Sequence, residues 1–173
     1  TQMSNAAGAA LQRQIREVVV PEIDKYRFGK ICEGAKTTVT GKVTKANAYD
    51  AFLTGATTLI ENNVPLVGSC AFVSSDFYKN IKEDSSFIRN GDMSQEILIK
   101  GQVGTIDGIP LIVVPKSYFP ENVEFIITNQ AATTSPVKLS EYKIHDNPPG
   151  INGWLVEGRV YYDAFVLENK KSA

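Results

Sequence analysis

Histidine and cysteine are almost missing from this sequence: 173 residues hold one of the first, His145, and two of the second, Cys32 and Cys70. A protein-held zinc site needs several such ligands at short spacings, and none occur. The two cysteines stand far apart, which points to reduced, buried thiols of a cytosolic protein ahead of a disulfide between them. Charge of one sign is lacking too. Eighteen basic residues face nineteen acidic ones with no long single-sign block, so nothing builds the field with which a dedicated nucleic-acid binder displaces counterions. No apolar run approaches the ~20 residues that span a bilayer, and the first residues have neither region of a secretion signal. The expectation is a soluble, unexported protein whose 43% hydrophobic content suffices for one domain or two small ones.

Catalytic signatures are equally scarce. His145 lies next to Asp146 at a strand end, without a GxSxG-type elbow, and is expected to be a strand-end or interface residue. Gly101, Gly104 and Gly108 lack the GK[ST] ending of a phosphate loop, and Asp107 would repel the anion. The Glu121/Glu124 pair and the Asp76/Glu83/Asp84 set read as solvated surface. Tyr161, Tyr162 and Phe165 could stack bases, but at this charge balance packing is favoured. The expectation is a protein without catalytic, metal or cofactor residues.

What is present is pattern. Leu11, Ile15, Val18, Val19, Ile23 and Tyr26 recur at helical steps, predicting a long amphipathic helix over Leu11 to Ile31, about 30 Å long. Pro21 should bend it without ending it. Gly34 to Thr44 (GAKTTVTGKVT) has no sustained period and reads as a connector. Asn47 can cap a second helix, with Asp50 three residues later, that buries Tyr49, Phe52, Leu53, Ala56, Leu59 and Ile60 and stops at Asn62, Asn63 and Pro65. A strand over Leu66 to Phe72 precedes a third helix, capped by Ser74 or Ser75 and carrying Phe77, Tyr78 and Ile81.

In Gly101 to Pro115, Asp107-Gly108 between two apolar runs is a strong hairpin signal, since both positions tolerate positive φ. Val123 to Thr128 forms another strand, and Ala131 and Ala132 could start a short turn of helix. The last third alternates polar and apolar residues over Lys138 to His145 and Trp154 to Glu168. These predict two long strands joined by a stiff tip, Asp146 to Gly153 (DNPPGING), with Gly158 marking a bulge or a close backbone approach.

Several of these segments look familiar. GQVGTIDGIPLIVVP (Gly101 to Pro115) and DNPPGINGWLVEGRVYYDAFVLENK (Asp146 to Lys170) resemble segments of the major capsid proteins of tailed phages that infect low-GC Gram-positive bacteria, and of related prophages. VVPEIDKY (Val19 to Tyr26) and NAYDAF (Asn47 to Phe52) match in the same order. The resemblance implies an α+β fold of the Hong Kong 97 type: a peripheral domain (1–46 and 137–173) with a spine helix and a long β-hairpin, and a compact α/β axial domain (47–136).

The resemblance further implies a structural subunit that assembles with copies of itself, as pentamers and hexamers, into an icosahedral head in the bacterial cytoplasm. Such a head would enclose DNA without reading its sequence, with a scaffold or maturation protease as further partners. Asp146, Asn147, Pro148, Pro149 and Trp154 are then candidate contacts between capsomers. The family's N-terminal arm and extended loop find no counterpart, so the chain is expected to be incomplete and to fold without closing into shells. A nanocompartment shell protein of the same fold, and a small α/β hydrolase or ligand-binding domain, are the alternatives.

Overall fold

The computed structural model describes residues 2–84 and 102–173. Its longest feature is a helical rod. Helix α1 (Gln2–Gln14) runs through a π-helical turn (Ile15–Val19) into α2 (Val20–Gly34), a span of about 50 Å. The rod begins earlier than the apolar stripe does, because the alanines ahead of Leu11 are the strongest helix formers.

Pro21 acts through the π turn. It cannot donate to the Glu17 carbonyl, and its ring crowds that oxygen. One turn earlier the ladder widens, and the Val20 N–H reaches back to Ile15 O. The extra residue also resets the phase of the helix. Leu11, Ile15, Val19, Ile23 and Arg27, four residues apart, are all buried or half-buried. In a regular α-helix such positions drift about 40° per step, and the π turn takes much of that drift back. Val18, which the sequence places on the apolar stripe, is 51% exposed for this reason.

Beyond the rod the connector joins no ladder, and α3 (Ala48–Glu61) follows. Its capping differs from expectation. The Asn47 carboxamide accepts from Thr44 N and Oγ1 and donates to Lys42 O, tying the connector to itself. The carboxylate that accepts from the second helical N–H, Tyr49 N at 3.1 Å, belongs to Asp84, which is only 2% exposed. Asp84 is therefore a buried cap supplied from a distance, not solvated surface. Ala48, Phe52, Ala56 and Leu59 form the buried face of α3, while Ile60 is 54% exposed.

Four strands make the main sheet: β1 (Ser69–Ser74), β2 (Gln102–Ile106), β3 (Ile109–Val114) and β4 (Phe125–Asn129), ordered β2-β3-β1-β4. β1 and β3 are parallel, and the other pairs antiparallel. Helix α4 (Ser75–Glu83) leaves the end of β1, capped by Ser74 Oγ accepting from Phe77 N. The strand expected over Leu66 to Phe72 starts only at Ser69, because Leu66, Val67 and Gly68 are spent in a turn clasped by the Asn129 carboxamide, which donates to Pro65 O and Val67 O. The Asp107-Gly108 turn is as expected, both residues at positive φ (49° and 79°).

Strand alternation gives the sheet two working faces. On one, Ala71, Val73, Ile109 and Leu111 meet Phe52, Ala56, Phe77 and Ile81 of α3 and α4 in the main core. On the other, Phe72 meets Phe28 of α2 with ring centroids 5.1 Å apart, and Phe119 closes on Phe28 at 5.2 Å. The rod is thereby fixed to the sheet by its second half.

The last third is a ribbon. β6 (Val137–Asp146) pairs antiparallel with β7 (Trp154–Tyr162). The ladder slips between Leu139 and Glu141, so the bulge lies in β6 and not at Gly158. A Cβ built on Gly158 would make only ordinary contacts, 3.7 Å from both Glu141 O and Leu11 Cδ1, where α1 rests on the ribbon. The expected single strand from Trp154 to Glu168 is two pieces. At Asp163 the side chain accepts from its neighbour's N–H (Ala164 N, 2.7 Å), a local bond that competes with the ladder. The chain then pairs as β8 (Phe165–Val166) with β5 (Thr133–Thr134).

Candidate functional site

The sequence places its candidate contacts at the end of the ribbon, and the structure brings all five together there. Asp146 and Trp154 are the terminal pair of the β6–β7 ladder. Between them Asn147 takes φ 47° and Gly150 φ 85°, while Ile151 N–H donates to Pro148 O and Asn147 N–H to Gly153 O. Pro148 and Pro149 fix two more φ values, so the seven-residue connection is a shaped cap closed by its own backbone. Trp154 is 51% exposed, with Ile144 exposed on the same face of the ribbon and Ile151 exposed in the cap. An exposed indole among apolar neighbours at a projecting end has the composition of a contact patch.

The ribbon's other face is polar. His145 lies 3.0 Å from Glu157 on the facing strand, and that hydrogen bond holds the Glu157 carboxyl below its ordinary range. Both side chains are exposed. Tyr161 and Phe165 are exposed as well, whereas Tyr162 is half-buried edge-on against Tyr26 of the rod, 5.4 Å between centroids.

The base of the ribbon is a hydrogen-bonded knot that sequence reasoning missed. Tyr26 Oη donates to Asp163 Oδ1 at 2.9 Å, and this bond raises the phenol's pKa. Asp163 N–H donates to Pro136 O, and Ser135 Oγ donates to Asp163 O while accepting from Arg27 Nε. One residue, Asp163, thus ties rod, β6 and β8. The sequence holds no distinct signal for it, because Asp163 keeps the alternation of its strand. Close by, Gly34 ends α2 where a Cβ would come within 2.6 Å of Val166 Cγ2.

Two further features lie on the sheet body. Lys116 bridges Asp76 (2.8 Å) and Glu124 (2.9 Å), and these bonds push its pKa up to about 12 while holding Asp76 low. Glu124 also accepts from Ser74 Oγ at 2.6 Å. Beside the outer edge of β4 runs a cleft of about 550 Å³, walled by connector residues Thr37 to Gly41, by Gly55, Thr58 and Leu59 of α3, and by Phe125 and Ile127. Its lining is apolar side chains and threonines, with Glu124 and Lys171 at hand. Cys32 opens on it and Cys70 does not; both are free thiols whose pKa burial raises. Among the described residues no three His, Cys, Asp or Glu side chains gather as a metal site would require, and no helix is long and apolar enough to cross a membrane.

No family model and no curated protein matches this chain. Among solved structures, a chain from Mycobacterium phage Che8 superposes with a TM-score of 0.69 at 13% sequence identity, over 94% of this chain. The fold is shared with a phage protein. This chain spans 60% of the length of that phage chain. At so low an identity the likeness is one of fold alone.

Proposed function

We propose that this chain is the greater part of a major capsid subunit of a tailed phage or prophage, and that it acts by shape and carries no catalysis. In this reading the rod and ribbon (1–46 and 137–173) form the peripheral domain of a Hong Kong 97 type subunit and residues 47–136 the axial domain. Copies of the whole protein tile pentamers and hexamers into a head around DNA in the bacterial cytoplasm, with a scaffold or maturation protease as further partners. The observation that carries the proposal is geometric. A rod of about 50 Å and a ten-residue-long ribbon are pinned together at Leu11/Gly158 and Tyr26/Asp163, beside a separately cored sheet.

That arrangement suits a wall tile. A closed shell repeats one heterologous interface, so a modest contact per copy is multiplied by closure. Each copy must therefore hold its contact surfaces at fixed angles, which is what a braced rod and ribbon do. The near-balanced charge also suits a container, since a strongly basic lining would bind packed nucleic acid tightly. The fold shared with the Che8 chain supports the same reading. A hydrolase or ligand-binding domain would call for a pocket with convergent polar groups, and the cleft beside β4 is lined mainly by apolar side chains and threonines.

Expression of the full-length gene followed by negative-stain microscopy tests the proposal. Closed, regular particles are expected, and a monodisperse monomer under assembly conditions would count against it. Neighbouring portal, protease and terminase genes would assign the shell to a phage, and a cargo-enzyme gene to a nanocompartment.

A further inference from the structure

The tip of the ribbon carries a reactive pair of groups that the shell reading does not use. Asn152 is exposed, and its carboxamide has no hydrogen-bond partner among the described residues. The next residue, Gly153, has its carbonyl held by Asn147 N–H at 2.9 Å, while its own N–H donates to none of the described residues. Gly153 sits at φ 147°, and even a Cβ built on it would meet nothing within 4 Å. An electrophilic carboxamide carbon and a main-chain nitrogen two bonds beyond its own Cα thus stand unengaged and unshielded on the same exposed turn.

We propose that Asn152-Gly153 is a site of spontaneous covalent modification, at which the tip converts its carboxamide to a carboxylate through a succinimide. The deprotonated Gly153 nitrogen attacks Asn152 Cγ, a C–N bond closes the five-membered ring, the carboxamide C–N bond breaks, and ammonia leaves with the proton. Water then adds to one of the two ring carbonyls. Opening on one side gives aspartate; opening on the other gives isoaspartate, with the main chain running through Cγ. One water is consumed and one ammonia released, and no oxidant or reductant takes part.

The surroundings of several other asparagines disfavour the same reaction there. Asn147 precedes Pro148, which has no N–H to attack with. The carboxamides of Asn47, Asn62 and Asn129 are tied to Lys42 O, Thr58 O and Pro65 O. Conversion at Asn152 places a new negative charge on the turn that begins at Asp146. Isoaspartate also lengthens the main chain by one methylene inside a turn closed by the Asn147–Gly153 bond, next to Trp154. The inference does not rest on the shell reading. If copies do cover the tip, conversion is slower in particles than in the free chain.

The test is to age the purified chain in neutral and mildly alkaline buffer and follow the Asn152 peptide by mass spectrometry with isoaspartate detection. The Asn90-Gly91 peptide is resolved separately. The expected result is first-order conversion to aspartate and isoaspartate, faster at higher hydroxide and well ahead of the Asn47, Asn62 and Asn129 peptides. Asn152→Gln should lose the acidic form, and Asn152→Asp should carry the final charge from the start. An Asn152 peptide that stays intact in the folded chain, or converts no faster than those three, overturns the proposal.

Discussion

Single residues decide how closely the parts of this protein approach one another. Gly34 is the sharpest case: Ala there would drive a methyl into Val166, and Gly34→Ala should lower stability by about 1–3 kcal/mol through overpacking, read as a shifted urea midpoint. Asp84→Ala should cost about 1–2 kcal/mol by leaving the α3 N-terminus uncapped, measured the same way. Neither residue announces itself in the sequence. Gly34 sits at a helix end where glycine is common anyway, and Asp84 reaches its partner across 35 positions. Ser74, by contrast, caps the helix it directly precedes, so a local rule finds it.

The Lys116 bridge adds a pH dependence whose sign follows from its shifts. A raised ammonium pKa contributes stability that is fully present below the ordinary 10.5 and lost as pH rises through about 12. The depressed Asp76 carboxyl contributes above its ordinary range and loses that contribution on acidification. The difference in melting temperature between the parent chain and Lys116→Met should therefore stay level from about pH 5 to 10 and close above about 12. It should shrink in high salt, because all three side chains are solvent-accessible.

At the scale of elements, the sequence was most legible where a periodicity ran long: the rod on either side of its π turn, the buried face of α3, the Asp107-Gly108 hairpin and the two ribbon strands. It was least legible where the chain changes partner. The Asp163 break hides inside an alternation that continues on both sides of it, and only the three-dimensional position of Tyr26 and Ser135 explains it. Gly158 was expected to mark a bulge or a close backbone approach, but the bulge falls across the ladder between Leu139 and Glu141, and a Cβ at Gly158 would meet its neighbours only at ordinary contact distance. Asp163→Ala should leave the sheet body folded while speeding amide exchange in β6 and β8, with a loss of about 1–3 kcal/mol for the hydrogen bonds removed. Equal exchange in both proteins would show that the knot contributes nothing.

At the scale of the whole molecule, the likeness to the Che8 chain is one of fold, carried over 94% of this chain at 13% identity. The five candidate contact residues do share one end of the ribbon, where Trp154 has little intramolecular packing to lose. In the full-length protein Trp154→Ala should accordingly leave the melting temperature nearly unchanged while lowering the yield of particles; unchanged yield would move the contact elsewhere. The knot at Asp163 has a consequence at this scale. Because a handful of hydrogen bonds among Tyr26, Arg27, Ser135 and Asp163 fixes the lean of the ribbon against the rod, and none of these side chains belongs to the buried cluster around Phe52 and Phe77, a lineage could retune that lean by exchanging surface residues while its interior stayed the same.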